Sequence, residues 1–188
     1  NDPGVIHNHD FMADPQFVRA YSRGVQAQGQ DYKYYWRMYV GLWCASQAAR
    51  LPGDFVECGV WKGFLSSAIM DYLGWNSLDK TFYLFDTFAG IDEDLVTDEE
   101  RRRLHLEHYR NYYLPNWEDA KKNFSGFRNV VLIKGSVPAS LAAVRVPRVA
   151  FLSIDMNNVT PEIACANHFW DRVVPGGMIL LDDYGFVS

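Results

Sequence analysis

The sequence predicts an open α/β fold in which helices cover both faces of a mostly parallel β-sheet. Short apolar segments rich in Val, Ile, Leu and Phe alternate with segments of helical periodicity along most of the 188 residues. This alternation is typical of strand-helix-strand crossovers, and continuously apolar strands suit a sheet that is buried on both faces. In sheets of this kind, ligands bind beyond the carboxyl ends of the strands, so the residues that end each apolar run are the candidates for chemistry.

The first crossover is predicted in "DFVECGVWKG", a short buried strand that leads into a glycine turn. The following segment, "FLSSAIMDYLG", has the apolar spacing of a helix. An N-terminal helical part over residues 17–50 precedes the strand and is expected to end near Leu51. We therefore expect a flexible segment at 1–16 and one domain at 17–188.

The second strand is predicted in "KTFYLFDTF" and ends at Asp86. In the charged segment that follows, Thr97 and Glu100 have the spacing of a helix capping box, and Pro115 is expected to end that helix. A second short helix is predicted in "WEDAKKNF" and the third strand in "NVVLIKGS".

The fourth strand is predicted in "RVAFLSID", followed by a helix with Thr160 as its N-cap and Pro161 at its first position. The segment Pro175-Gly176-Gly177 is expected to close that helix. The fifth strand is then "MILLDD".

Composition and charge exclude several classes of protein. Hydrophobic residues make up 48% and charged residues 22% of the chain, which is typical of a globular domain. A net charge of -5 argues against a nucleic-acid partner. Neither an apolar run of about 18 residues nor a secretory leader pattern occurs, so no membrane contact is expected. The three cysteines (Cys44, Cys58 and Cys165) lack the spacing of a zinc site or a disulfide framework, which favours a cytoplasmic location.

The first two strand ends predict a nucleoside-containing cofactor. Gly59 and Gly63 would let the main chain approach a ligand, although tight packing of strand on helix explains two glycines equally well. Asp86 is placed to accept both hydroxyls of a ribose. Glu57 would repel a pyrophosphate group but attract an ammonium group. A ligand with a ribose and a positive amine end, such as S-adenosylmethionine, fits these residues.

The last two strand ends carry three acids: Asp155, Asp182 and Asp183. Consecutive crossovers tend to place their strands side by side, so we expect these carboxylates to lie together. Like charges at about 4 Å repel, and a divalent cation would relieve the repulsion. Oxygen ligands select a hard ion, Mg2+ before Zn2+. The alternative for any single acid is an ordinary cap or turn residue, as Asp183 before Tyr184 would be.

With these residues in view, the chain resembles the macrocin O-methyltransferase family of class I S-adenosylmethionine-dependent enzymes. The resemblance covers about residues 51–185, through "LPGDFVECGVWKGFLSSA", "FYLFDTFAGI", "LSID" and "FWDRVVPGGMILLDDYG". It implies a Rossmann-like fold and a magnesium site formed by Asp155, Asp182 and Asp183, with Asp155 also able to accept the proton of the acceptor. It implies that the cofactor contacts Glu57, Gly59, Val60, Trp61, Gly63, Ser66, Asp86, Thr87, Phe88, Gly135 and Ser136.

The chain departs from the family pattern in two places. After the fourth strand it reads "DMNNVTPE", where the family usually carries an acidic or aromatic residue after the aspartate. It also ends at Ser188, where class I methyltransferases continue with a helix and a β-hairpin, so we expect a fold that lacks the C-terminal hairpin.

The leading hypothesis is a Mg2+-dependent O-methyltransferase acting on a hydroxyl of a small molecule, with a sugar of a natural product as the substrate class that the resemblance implies. An NAD(P)-dependent oxidoreductase is disfavoured by Glu57 and by the missing third glycine of a dinucleotide turn. A non-catalytic S-adenosylmethionine-binding module is the third hypothesis. Whether the protein forms a homo-oligomer is left open.

Overall fold

The computed structural model describes residues 8–103, 106–182 and 184. Its centre is one five-stranded sheet whose strands, in chain order, are β1 (Asp54–Cys58), β2 (Phe82–Asp86), β3 (Val130–Lys134), β4 (Val149–Ile154) and β5 (Val173–Leu181). The order across the sheet is β3-β2-β1-β4-β5, and every neighbouring pair is parallel. The predicted parallel α/β sheet is therefore confirmed.

Seven α-helices lie in the described part of the chain. They are α1 (Pro15–Gln28), α2 (Tyr35–Ala48), α3 (Phe64–Leu73), α4 (Asp98–Arg103), α5 (Leu106–Tyr112), α6 (Trp117–Phe124) and α7 (Val159–Phe169). The predicted capping box starts α4: Glu100 N–H donates to Thr97 Oγ1 at 3.2 Å, and Thr97 N–H donates to Glu100 Oε2 at 2.8 Å. None of the described helices is both long and apolar enough to cross a membrane.

The N-terminal part differs from the prediction, because folded structure begins before residue 17. A short 3-10 helix spans Asp10–Ala13, and α1 starts at Pro15, where Asp14 accepts the N–H of Gln16 at 2.9 Å. The ring of Phe11 stacks on Tyr39 with centroids 4.2 Å apart. The helical part is also two helices, since Gly29 ends α1 with a φ of +81°.

Two predicted boundaries near the C-terminus are wrong. The N-cap of α7 is Asn158, so Thr160 and Pro161 lie inside its first turn. The helix ends at Phe169, and β5 already runs through Pro175-Gly176-Gly177. The register against β4 jumps there, from Val149 opposite Val173 to Phe151 opposite Met178. The glycines therefore absorb an irregularity within the strand.

The core lies on both faces of the sheet. On one face, Phe55 and Phe151 pack with α1, α2 and α3 in a cluster that includes Met38 and Ile69. On the other face, Leu152 packs with Phe169 of α7. All six residues of β4 are buried, as expected for a central parallel strand.

Candidate active site

A cavity of about 290 Å³ opens at the carboxyl ends of the strands. It lies beside β1 and β4, where the strand order reverses, and such points are where open α/β sheets bind ligands. Nine of the residues predicted for the site contribute to its wall: Glu57, Gly59, Val60, Trp61, Asp86, Thr87, Ser136, Asp155 and Asp182. The sheet topology therefore brings together residues that are far apart in the sequence.

The other predicted site residues have different locations. Ser66 and Phe88 are buried and lie outside the cavity wall, as do Gly63 and Gly135. Phe88 packs on the ring of Trp117 with centroids 5.0 Å apart. Asp183 lies outside the described residues. Contact of these residues with a cofactor stays a prediction.

The two glycines of the first turn are required by packing within the protein. A β-carbon on Gly59 would lie 1.6 Å from the carbonyl oxygen of Asp155, and one on Gly63 would lie 2.3 Å from the ring of Phe124. Both residues also have φ values near +90°, which disfavour any side chain. The packing explanation considered for these glycines is therefore sufficient, and Gly59 lines the cavity as well.

Asp86 ties the first turn to the end of β2. Its Oδ2 accepts the N–H groups of Val60 at 2.7 Å and Trp61 at 2.8 Å, and its Oδ1 accepts the N–H of Phe88 at 2.5 Å. The Thr87 hydroxyl also lies 3.4 Å from Oδ1, but it donates to the Gly90 carbonyl at the shorter distance of 2.5 Å. A carboxylate has about four lone-pair positions, so the three main-chain bonds leave capacity for one further donor. Asp86 is thus placed both to hold the turn and to meet a ligand in the cavity.

Glu57 is a buried acid at the floor of the cavity, with 4% of its surface exposed. Burial raises the pKa of its carboxyl to about 8, and nearby Asp155 and Asp86 act in the same direction, while Ser66 and Arg37 oppose the rise. Its Oε2 has no hydrogen-bond partner. A buried carboxyl with an unpartnered oxygen is an attractive position for a cationic group of a ligand.

Asp155 and Asp182 follow strands that are paired, as predicted, and a residue from another part of the chain contacts both carboxylates. Ile154 is paired with Leu181, and Asp182 N–H donates to the Ile154 carbonyl at 3.2 Å. The guanidinium of Arg37, from the first turn of α2, forms ion pairs with both carboxylates, with Nε 2.8 Å from Asp182 Oδ1. Burial alone would lower the pKa of Arg37, but the two aspartates outweigh it and raise that pKa.

Arg37 was not predicted from the sequence. It stands in "YYWRMYV", a mainly apolar helical segment, and a lone arginine there suggests only a residue with an exposed charge. Within the described residues, no group of three or more His, Cys, Asp and Glu side chains is arranged to hold a metal ion. Asp183, which the prediction counted as a third ligand, is outside that set.

One wall of the cavity is aromatic, which was also not predicted. The rings of Trp61, Tyr112 and Tyr113 pack together, with the Trp61 centroid 4.9 Å from Tyr112 and 5.0 Å from Tyr113. Tyr32 and Tyr34 stack at 5.5 Å and line the same cavity. The clusters "DYKYYW" and "YRNYY" are visible in the sequence, but only the fold shows that they face one space.

The "DMNN" departure lies in the cavity wall. Tyr113 donates its hydroxyl to Asn157 Oδ1 at 3.4 Å, and Glu162 Oε1 accepts the N–H of Met156 at 3.2 Å. Asn158 is 6% exposed, and its Nδ2 has no hydrogen-bond partner. This segment therefore presents amide groups where the family usually has an acidic or aromatic side chain.

The parallel sheet and the cavity at its reversal point define a protein of the class I methyltransferase fold. The family described as macrocin O-methyltransferase (TylF) matches residues 44–188. The chain belongs to this family of O-methyltransferases.

Curated relatives and solved structures agree with this assignment. The mycinamicin III 3''-O-methyltransferase of Micromonospora griseorubida is 25% identical over 88% of this chain and 72% of its own length. The demethyldecarbamoylnovobiocin O-methyltransferase of Streptomyces niveus is 27% identical, and the match covers 71% of this chain but only 53% of the relative. The O-methyltransferase NovP superposes with a TM-score of 0.69 at 21% identity, covering 92% of this chain and 81% of NovP. The calicheamicin methyltransferase CalS11 superposes with a TM-score of 0.58 at 16% identity, covering 96% and 80%.

Proposed function

We propose that this protein is an S-adenosylmethionine-dependent, Mg2+-dependent O-methyltransferase that acts on a hydroxyl of a small molecule, with a natural-product sugar as the favoured substrate class. The observation that carries the proposal is the cavity at the strand ends. Four acids line it: the buried Glu57, Asp86 of the first turn, and the pair Asp155 and Asp182. The names of the relatives support the substrate class, since mycinamicin III is the substrate that one of them states.

The cofactor would occupy the part of the cavity formed by β1 and β2. Glu57 would accept the ammonium group, which matches its unpartnered oxygen. Asp86 would accept a ribose hydroxyl with the lone pair that its three main-chain bonds leave open. Ser136, at the end of β3, would border the adenine. Gly59 and Trp61, which line the cavity, would contact the methionine end of the cofactor.

The acid pair fits a hard divalent cation. Asp155 and Asp182 come from adjacent strand ends and already share one cation, the guanidinium of Arg37. Carboxylate oxygens are the ligands that Mg2+ prefers, and Mg2+ usually retains water or substrate oxygens in its other positions. Asp155 and Asp182, with Asp183 as the third predicted ligand, would hold the ion.

When bound, S-adenosylmethionine supplies the methyl group, and Mg2+ lowers the pKa of the acceptor hydroxyl. The chain itself supplies position and charge. Asp155, which lines the cavity, would take the hydroxyl proton. The aromatic wall of Trp61, Tyr112 and Tyr113 would exclude water and hold the acceptor in a fixed position. Such positioning aligns the acceptor oxygen with the methyl group, and alignment accounts for much of the rate enhancement in such reactions.

The test is mass spectrometry of candidate hydroxylated acceptors incubated with the protein and S-adenosylmethionine, with and without EDTA. We expect a mass gain of one methyl group that EDTA abolishes. Asp182→Asn should lower the rate at least about a hundredfold if the pair is needed for positioning and charge. Asp94→Asn is the matched control, because its carboxylate is exposed and lies outside the cavity wall.

The possible results separate the parts of the proposal. Methylation at full rate in EDTA would contradict the requirement for Mg2+ but leave the assignment as an O-methyltransferase intact. Calorimetric binding of a nicotinamide cofactor in place of S-adenosylmethionine would overturn the transferase itself.

A further inference from the structure

Arg37 is the connection between the N-terminal helices and the acid pair. It lies in the first turn of α2, which precedes β1 in the chain, whereas Asp155 and Asp182 follow β4 and β5. One guanidinium contacts an oxygen of each carboxylate, so it lies in the space between them. The side chain is also 5.7 Å from the centre of the Tyr34 ring.

We propose that Arg37 is a competitor of the divalent cation: its guanidinium pairs with Asp155 and Asp182 when no metal is bound and must leave for the metal to enter. This inference rests on the proposed function, because it concerns the ion assigned to the same two carboxylates. Through Arg37, helix α2 would control whether a metal ion can bind to the two aspartates.

Two physical arguments support competition. A guanidinium and a divalent ion would use the same inner oxygens, and two cations at that separation repel each other. Without either cation, two carboxylates on paired strand ends would repel each other. A metal ion bound by the oxygens that Arg37 now contacts would therefore displace the guanidinium.

Arg37 also has a route out of the site. About 34% of its side chain is exposed, so the guanidinium can exchange the aspartates for solvent and Tyr34 without crossing the core. Arginine stems are long and have many rotamers. The alternative is a permanent ion pair that fixes α2 on the sheet. In that case, replacing Arg37 would leave the metal affinity unchanged or lower it.

The test is the affinity for Mn2+, used as a probe for Mg2+ and followed by electron paramagnetic resonance without cofactor or acceptor. We expect Arg37→Met and Arg37→Gln to bind Mn2+ at least tenfold more tightly than the unchanged protein. Adding Asp182→Asn to Arg37→Met should abolish the gain. Arg19→Met is the matched control, since Arg19 forms a similar ion pair with Asp71 at 2.8 Å and lies outside the cavity wall.

Unchanged or weaker Mn2+ binding in both folded Arg37 variants would overturn the inference, as would an equal gain in Arg19→Met. Circular dichroism establishes that each variant is folded. The proposed function is tested separately, by methyl transfer in the unchanged protein. If the unchanged protein transfers methyl groups but the Arg37 variants show no gain in Mn2+ affinity, the competition between Arg37 and the metal is overturned and the proposed function stands.

Discussion

The α-carbon of Gly59 faces the carbonyl of Asp155 so closely that a β-carbon would lie 1.6 Å from the carbonyl oxygen. Asp155 N–H in turn donates to the carbonyl of Cys58 at 2.9 Å. The ends of β1 and β4 are thus pressed together at the point where the strand order reverses. The floor of the cavity depends on a residue without a side chain at this position.

Gly59→Ala is expected to prevent stable folding or to lower the free energy of unfolding by more than about 3 kcal/mol, because backbone atoms cannot move aside cheaply. Gly29→Ala is the matched control: φ is +81° there, but nothing lies within 4 Å of the added carbon. The control should cost about 1–2 kcal/mol from backbone strain alone. Urea unfolding measures both, and equal losses would show that the contact with Asp155 is unimportant.

Asp86→Ala is expected to lower both stability and cofactor affinity. It removes the acceptor of three main-chain N–H groups, which should cost about 3 kcal/mol. Thermal unfolding and calorimetric titration with S-adenosylmethionine would measure the two losses. Asp94→Ala should leave both within error, since this carboxylate is exposed. A destabilised Asp86→Ala protein that still binds the cofactor normally would limit Asp86 to a structural role.

Glu57 should make the unliganded protein less stable as the pH rises. Burial raises the pKa of its carboxyl from 4.5 to about 8, so the folded state binds a proton that the unfolded state has released. This contribution to stability is complete below pH 4.5 and is lost as the pH rises toward 8. Over that window it amounts to at most about 1.4 kcal/mol for each pH unit.

Glu57→Gln should remove this part of the pH dependence, because an amide does not titrate. Urea unfolding at several pH values between 5 and 8 would compare the variant with the unchanged protein. Glu118→Gln is the control, since its side chain is 82% exposed. Parallel stability profiles for the unchanged protein and Glu57→Gln would contradict the raised pKa.

Tyr112→Ala is expected to raise the KM for the acceptor about fivefold and to change kcat little. The reason is that loss of one aromatic contact costs about 1 kcal/mol of binding that ground state and transition state share. The measurement is steady-state kinetics with an acceptor found by mass spectrometry. Trp170→Ala removes a ring that is 67% exposed and lies outside the cavity wall, and should have no effect. A fall in kcat at unchanged KM would assign Tyr112 to the chemical step instead.

Much of the fold could be predicted because its signals are local. The apolar run before Asp86 and the capping box of Thr97 and Glu100 each depend on a few neighbouring residues, and both occur as predicted. The start of α7 was wrong because Asn, Thr and Pro are all favourable near a helix start, and local preference does not decide between Asn158 and Thr160. The irregular entry into β5 was missed because Pro175-Gly176-Gly177 is also a common helix stop.

By itself, the sequence determined the parallel α/β class, the strand ends and the acids placed there, because hydrophobic periodicity and strand-end position are properties of short segments. Only the tertiary structure decided that Arg37 lies between Asp155 and Asp182, that Asp86 holds the first turn, and that two tyrosine clusters face one cavity. These contacts join residues separated by 25 positions (Trp61 and Asp86) to 145 positions (Arg37 and Asp182) and by several secondary-structure elements. Their geometry follows from how helices pack on the sheet, which no local pattern encodes.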